Sequence, residues 1–169
     1  LRTHQVYFVA ERDDRGEISG ALAFGRDITE LKQQEAMEET RLNVFEKLSE
    51  GVDLTEILKI IANYAEKFRP SFLVSIMLLS SDGKRLMQAA SPSLPDKYNQ
   101  AVDGVLIGDG VGSCGTAAWR AETIIVEDIQ THPYWADYKE ITSSAGLLSC
   151  WSEPIFNSSG KVLGRLASE

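Results

Sequence analysis

Seven apolar side chains, Leu54, Ile57, Leu58, Ile61, Tyr64, Ala65 and Phe68, recur on one face at helical spacing until Pro70 stops the run. Immediately behind it, residues 72–79 make an apolar run of strand length. The chain then turns at Ser81-Asp82-Gly83-Lys84 and returns through residues 85–90. A helix with one apolar face beside an apolar hairpin must cover a sheet. Gly51 breaks whatever precedes this helix, and Asp53 with Glu56 three residues later reads as a capping-box start. Downstream, residues 91–112 are loop-like and glycine-punctuated, with a short helical stretch at 95–102. Residues 113–121 read as helix, 123–129 as strand, 132–144 as helix and 147–156 as strand, and a further strand starts at Lys161. The order α, β, β, α, β, α, β predicts an α+β fold around an antiparallel sheet.

Upstream of that unit, Val6, Phe8, Ile18, Ala21 and Ala23 alternate with polar neighbours around Asp13-Asp14-Arg15-Gly16, the pattern of a β-hairpin. A lone hairpin is marginal in water, so this one is expected to pack on further upstream sequence or on a second copy of the chain. Gly25-Arg26-Asp27-Ile28-Thr29 closes it, and Asp27 or Thr29 can cap a long helix over residues 30–48. The helix is apolar at Ile28, Leu31, Leu42, Phe45 and Leu48 but polar on every face between Lys32 and Arg41. Such a helix either bridges two modules through solvent or pairs with its twin in a homodimer, which is the partner expected here.

Charge narrows the function classes. Seventeen basic against twenty-five acidic residues leave a net charge of −8, which repels phosphate backbones and anionic lipid, so neither nucleic acid nor a membrane is an expected partner. The apolar run at 72–79 is far too short to cross a bilayer. With no initiating Met and no signal-peptide core at Leu1-Arg2-Thr3-His4, the chain reads as a cytoplasmic fragment of a longer protein. Cys114 and Cys150 form no CxxC pair and no ligand-spaced set with His4 and His132, so no metal is expected and the cofactor is unknown.

Two stretches resemble sensory modules. Tyr7-Phe8-Val9 through Gly16-Glu17-Ile18-Ser19-Gly20 to Gly25-Arg26-Asp27-Ile28-Thr29 is similar to the last strands and the Asp-Ile-Thr signature of a PAS domain. The other resemblance rests on Ile107 to Ala118 (Ile-Gly-Asp-Gly-Val-Gly-Ser-Cys-Gly-Thr-Ala-Ala), Val126-Glu127-Asp128-Ile129, His132-Pro133-Tyr134-Trp135 and Cys150-Trp151-Ser152-Glu153-Pro154-Ile155. These resemble a GAF domain of the kind found beside PAS domains in bacterial sensor histidine kinases and cyclic-di-GMP enzymes. The resemblance implies a PAS tail at 1–29, a signalling helix at 30–50 and a GAF domain at 51–169. Relatives continue past Gly164 with a small-aromatic strand and a closing helix, whereas this chain has Arg165-Leu166-Ala167-Ser168-Glu169. A short last strand and a truncated domain are therefore expected.

Several residues could carry chemistry. Gly112, Ser113 and Cys114 lie where a glycine-rich turn enters a helix, and the free N–H groups there could hold a small anion or simply pack on the sheet. Trp119, Tyr134, Trp135, Tyr138 and Trp151, with Asp128, Cys150 and Glu153, come from segments expected to converge over one sheet face, either as an apolar small-molecule pocket or as core. Catalytic residues are not expected: no Ser/His/Asp set, phosphate loop or carboxylate pair is present. The Gly112-to-Ala118 stretch also resembles that of GAF-type free methionine-R-sulfoxide reductases. Residues 138–146 hold no counterpart to the second cysteine those enzymes need. A lone His132 at a helix start reads as a cap rather than a haem ligand. The expected function is a non-catalytic sensory module that either binds an unidentified small molecule or relays a PAS signal through the helix to a downstream output domain of the parent chain, such as a cyclic-di-GMP enzyme or a histidine kinase. The alternatives are a thiol reductase acting through Cys114 and a purely structural dimerisation domain.

Overall fold

The computed structural model describes residues 2–169 in two units divided between Phe45 and Glu46. In the first, β1 (His4–Arg12) and β2 (Ile18–Asp27) pair antiparallel. The turn between them is held by Asp13, whose carboxylate accepts from the amides of Arg15 and Glu17 at 2.9 and 3.0 Å. The apolar hairpin side chains stay open, Phe8 at 74% exposure. Asp27 accepts from the amide and hydroxyl of Thr29 at 2.9 and 2.6 Å, while Thr29 Oγ1 accepts from the Thr3 amide at 2.8 Å. The Asp-Ile-Thr triplet thus caps α1 (Thr29–Ser49) and ties it to the start of the hairpin. No residue of α1 is buried.

The second unit opens with α2 (Leu54–Phe68), capped by Asp53, which accepts from the Thr55 amide at 2.8 Å. The expected capping box does not close, because Glu56 pairs with Lys59 at 2.7 Å instead. Then come β3 (Val74–Leu79), β4 (Arg85–Ala90), α3 (Asp96–Val102), β5 (Val105–Leu106), α4 (Gly112–Arg120) and β6 (Ile124–Val126). A 3₁₀ helix (Pro133–Tyr138), α5 (Lys139–Ser144), β7 (Cys150–Phe156) and β8 (Val162–Ser168) complete the unit. The strands form one antiparallel sheet in the order β5-β4-β3-β8-β7-β6. This is the predicted α+β architecture.

Each sheet face has its own core. On one, α2 packs Ala62 against Val74, Ile76 and Ala90. On the other, Met77 and Leu86 pack with Tyr98 of α3, Cys114 and Ala118 of α4 and Trp135 of the 3₁₀ helix. Val74, Ser75, Ile76 and Met77 are therefore all buried, as a strand covered on both faces requires.

Four sequence expectations need correcting. The loop at 91–112 contains β5, which its two ladder pairs with β4 stabilise. The strand at 123–129 is only three residues long, because Asp128 turns the chain by accepting from the Gln130 amide and the Thr131 hydroxyl, both at 2.9 Å. The helix at 132–144 begins as 3₁₀ under a His132 cap, whose Nδ1 accepts from the Tyr134 amide at 3.2 Å. The last strand is not short: β8 runs seven residues between β3 and β7, with Met77 opposite Arg165 and Leu78 opposite Gly164.

Gly164 permits that central pairing. A Cβ there would overlap the Met77 carbonyl oxygen and stand 3.0 Å from Leu78 Cα, both backbone atoms that cannot turn aside. Gly164→Ala is expected to lower stability by ~1–3 kcal/mol in urea denaturation. Ala121 closes α4 in the left-handed region at φ +56. Such a conformation strains a residue with a Cβ by about 1–2 kcal/mol, so Ala121→Gly should raise stability by ~0.5–1 kcal/mol in the same assay.

Candidate functional site

The glycine-rich entry to α4 folds back on its own helix. Gly110 and Gly112 take positive φ, +80 and +56. The Gly110 amide donates to Thr116 Oγ1 at 3.1 Å, and that hydroxyl donates to the Gly112 carbonyl at 2.6 Å. Gly115 lets the helix lie against β5, since a Cβ would stand 2.8 Å from the Leu106 carbonyl oxygen. This geometry buries Ser113 and Cys114 against the sheet.

Below α4 lies a polar cluster sealed inside the apolar core. Arg165 of β8 has no exposed surface. Its Nη1 donates to Ser75 Oγ at 2.6 Å, its Nη2 to Met77 Sδ at 3.0 Å, and Nη1 stands 3.9 Å from Glu169 Oε1. Ser75 Oγ lies 3.3 Å from the same carboxylate oxygen. Ser113 Oγ donates to Cys150 Sγ at 3.0 Å, and Ser152 Oγ to Cys114 Sγ at 3.7 Å. Both thiols are free, and their sulfurs lie with a Glu169 carboxylate oxygen inside a mutual 4.8 Å. The Tyr98 hydroxyl, Arg165 Nε, Glu169 Oε2 and Trp135 Nε1 are buried without a hydrogen-bond partner among the described residues.

Proximity sets the protonation states. The neighbouring Cys150 thiol is the main influence holding Cys114 below the usual thiol range; it outweighs burial, and the Arg165 charge adds to it. The same interaction, with burial, pushes Cys150 up. Burial pushes the Glu169 carboxyl up to about 7, the Cys114 thiolate adds to the rise and Arg165 opposes it.

A small hollow of about 20 Å³, bordered by Tyr98, Cys114, Trp135, Tyr138 and Arg165, adjoins the cluster. Of the sequence candidates, Gly112, Cys114, Trp135 and Tyr138 line it. Ser113 and Cys150 are buried beside it, and Tyr134 packs edge-on to His132 at 4.6 Å. The expected convergence stops there. Trp119 is 61% exposed. Asp128 is spent on its turn, and Glu153 is exposed and accepts from Thr123 Oγ1 at 2.6 Å. Trp151 borders a separate open groove of about 530 Å³ with Phe72, Ile125 and Leu148. The alternation of β7 explains this split: Cys150 and Ser152 point into the core, Trp151 and Glu153 away from it. Sequence reasoning missed Arg165, Tyr98 and Glu169. The one available signal was Arg165 itself, a lone charge inside an apolar strand.

The raised Glu169 carboxyl has a defined pH signature. A folded pKa of about 7 against 4.5 for the free group means that the native state holds the extra proton between those values. The contribution of Glu169 to stability should therefore fall as pH rises through that window. Glu169→Gln is expected to flatten that fall, read as the melting temperature of the two proteins from pH 4.5 to 7.

The chain is 38% identical over 96% of its length to the methyl sulfide methyltransferase-associated sensor of Methanosarcina acetivorans, of which it spans 17%. Among solved structures it resembles the free methionine-R-sulfoxide reductase of Neisseria meningitidis in complex with its substrate, with a TM-score of 0.60 at 21% identity over 80% of this chain and 71% of that one. It also resembles the GAF domain of the Acinetobacter phosphoenolpyruvate-protein phosphotransferase, with a TM-score of 0.56 at 21% identity over 79% and 75%. At such identities these two show the fold. The family model of the GAF domain matches residues 51–168, the stretch that carries the six-stranded sheet and all of the cluster but Glu169, and the chain belongs to the GAF domain family.

Proposed function

We infer that residues 51–169 are a non-catalytic sensory domain of a cytoplasmic signal-transduction protein. In this reading residues 1–29 are the end of a PAS domain, and α1 relays the state of the GAF domain to an output module of the parent chain, such as a cyclic-di-GMP enzyme or a histidine kinase. The observation that carries it is the likeness to a protein named as a sensor, which runs through hairpin, helix and GAF domain together. The hollow supports a switch rather than a standing receptor. At about 20 Å³ it holds little more than one water, so a metabolite enters only an opened form. Uptake then shifts the protein in proportion to the difference in affinity between the open and closed forms.

Light scattering on the whole chain and on residues 48–169 tests the relay. A dimer that needs residues 1–47 is expected, and two monomers at high concentration would remove the helix pair from the mechanism. The reductase reading is tested by incubation with free methionine sulfoxide and a thiol reductant beside Cys114→Ser. No turnover is expected, and turnover lost in the variant would replace the sensory reading.

A further inference from the structure

Two cysteines far apart in sequence, one on α4 and one on β7, are brought together with a carboxylate inside the core. Three atoms mutually within 4.8 Å all lie within ~2.8 Å of a common point. Zinc bonds thiolate sulfur at ~2.3 Å and carboxylate oxygen at ~2.1 Å, so each ligand need close by only ~0.5–0.7 Å. We propose that Cys114, Cys150 and Glu169 are the protein ligands of a thiophilic divalent cation, with Zn²⁺ as the reference ion.

The chemistry of the donors selects the ion. Two thiolates and one carboxylate exclude calcium and magnesium, which take oxygen ligands, and suit a borderline-soft d¹⁰ cation in tetrahedral coordination. Charge balance accounts for the buried guanidinium in the same cluster. Two thiolates and a carboxylate carry three negative charges, and Zn²⁺ with Arg165 carries three positive ones, so the loaded cluster is neutral. An isolated excess charge would be costly there. Binding requires all three ligands deprotonated and releases whichever of their protons are still held, Zn²⁺ + 2 RSH + R′COOH giving [Zn(SR)₂(O₂CR′)]⁻ + 3 H⁺ from the fully protonated cluster, with no change of oxidation state.

An independent observation marks the remaining coordination position. Tyr98 is 1% exposed, and its hydroxyl lies beside the Glu169 carboxyl without a hydrogen bond of good geometry among the described residues. It lines, with Cys114 and Arg165, a hollow large enough for one water. A water there takes the fourth position on the ion and satisfies the Tyr98 hydroxyl. Glu169 Oε2, the other unpartnered oxygen of the cluster, is free to ligate while Oε1 stays with Ser75 and Arg165. The assignment stands whether or not the domain senses a metabolite.

The test uses the whole chain, reduced, stripped with a chelator, incubated or refolded with Zn²⁺ or Cd²⁺ and passed over a desalting column. Retention of about one ion per chain is expected, with a thiolate-to-metal charge-transfer band for Cd²⁺ and a rise in melting temperature. Ten-fold or greater loss of affinity is expected in Cys114→Ser, Cys150→Ser and Glu169→Gln. Retention below a tenth of an equivalent overturns the proposal. So does retained Cd²⁺ without a thiolate band, which would place the ion on surface carboxylates; both readings come from the unaltered protein and need no variant to fold.

Discussion

A guanidinium with no exposed surface stands at the middle of the sheet, and the rest of the second unit is arranged around the cost of keeping it there. Removing one ion from water costs several kcal/mol unless charge and hydrogen bonds replace the lost solvent. Here they come from separate elements: Ser75 and Met77 of β3, the Glu169 carboxylate just past β8, and the thiol pair of α4 and β7. Replacing any one partner leaves the others facing an uncompensated charge. The electrostatic centre of the molecule is therefore also its packing centre, and strands distant in sequence are committed to one register by a shared polar contact.

The same arrangement shapes the interior of the GAF domain. The glycine-rich entry to α4 spends its amide on Thr116, and the aromatic rings of the 3₁₀ helix close over the cluster, with Trp135 and Tyr138 meeting edge-on at 6.1 Å. The result is a core holding several unsatisfied polar atoms, which is unusual in a well-packed interior. Such atoms make the core less stable than its apolar packing alone would.

Much of this was legible in the residues. The apolar stripe from Leu54 to Phe68, the hairpin after it and the Asp27-Ile28-Thr29 cap all lie in local periodicity and turn chemistry, and the helix and strand types follow. The hollow was half legible. Trp135 and Tyr138 could be placed because they share a short segment with the helix cap His132, whereas Trp151 could not, because its face depends on the phase of β7. In sequence Arg165 and Glu169 stand out only as a departure from the family pattern, with nothing local to tie them to the site. Their partners lie about ninety positions earlier, Arg165 to Met77 being 88 apart, and only the β3–β8 ladder brings them together. Periodicity speaks of neighbours within a turn or a hairpin and is silent about that distance.

The central place of β8 has a further consequence for how the protein is made. A ribosome delivers α2 and β3 first and β4 soon after, but until β8 has left the exit tunnel the other edge of that buried strand is without its native partner. Residues emerging over that interval total several seconds of synthesis at ordinary elongation rates, ~5–20 per second. The nascent unit therefore exposes a sticky open seam for most of its translation, and its yield in a cell should depend on holdase chaperones more than its modest size suggests.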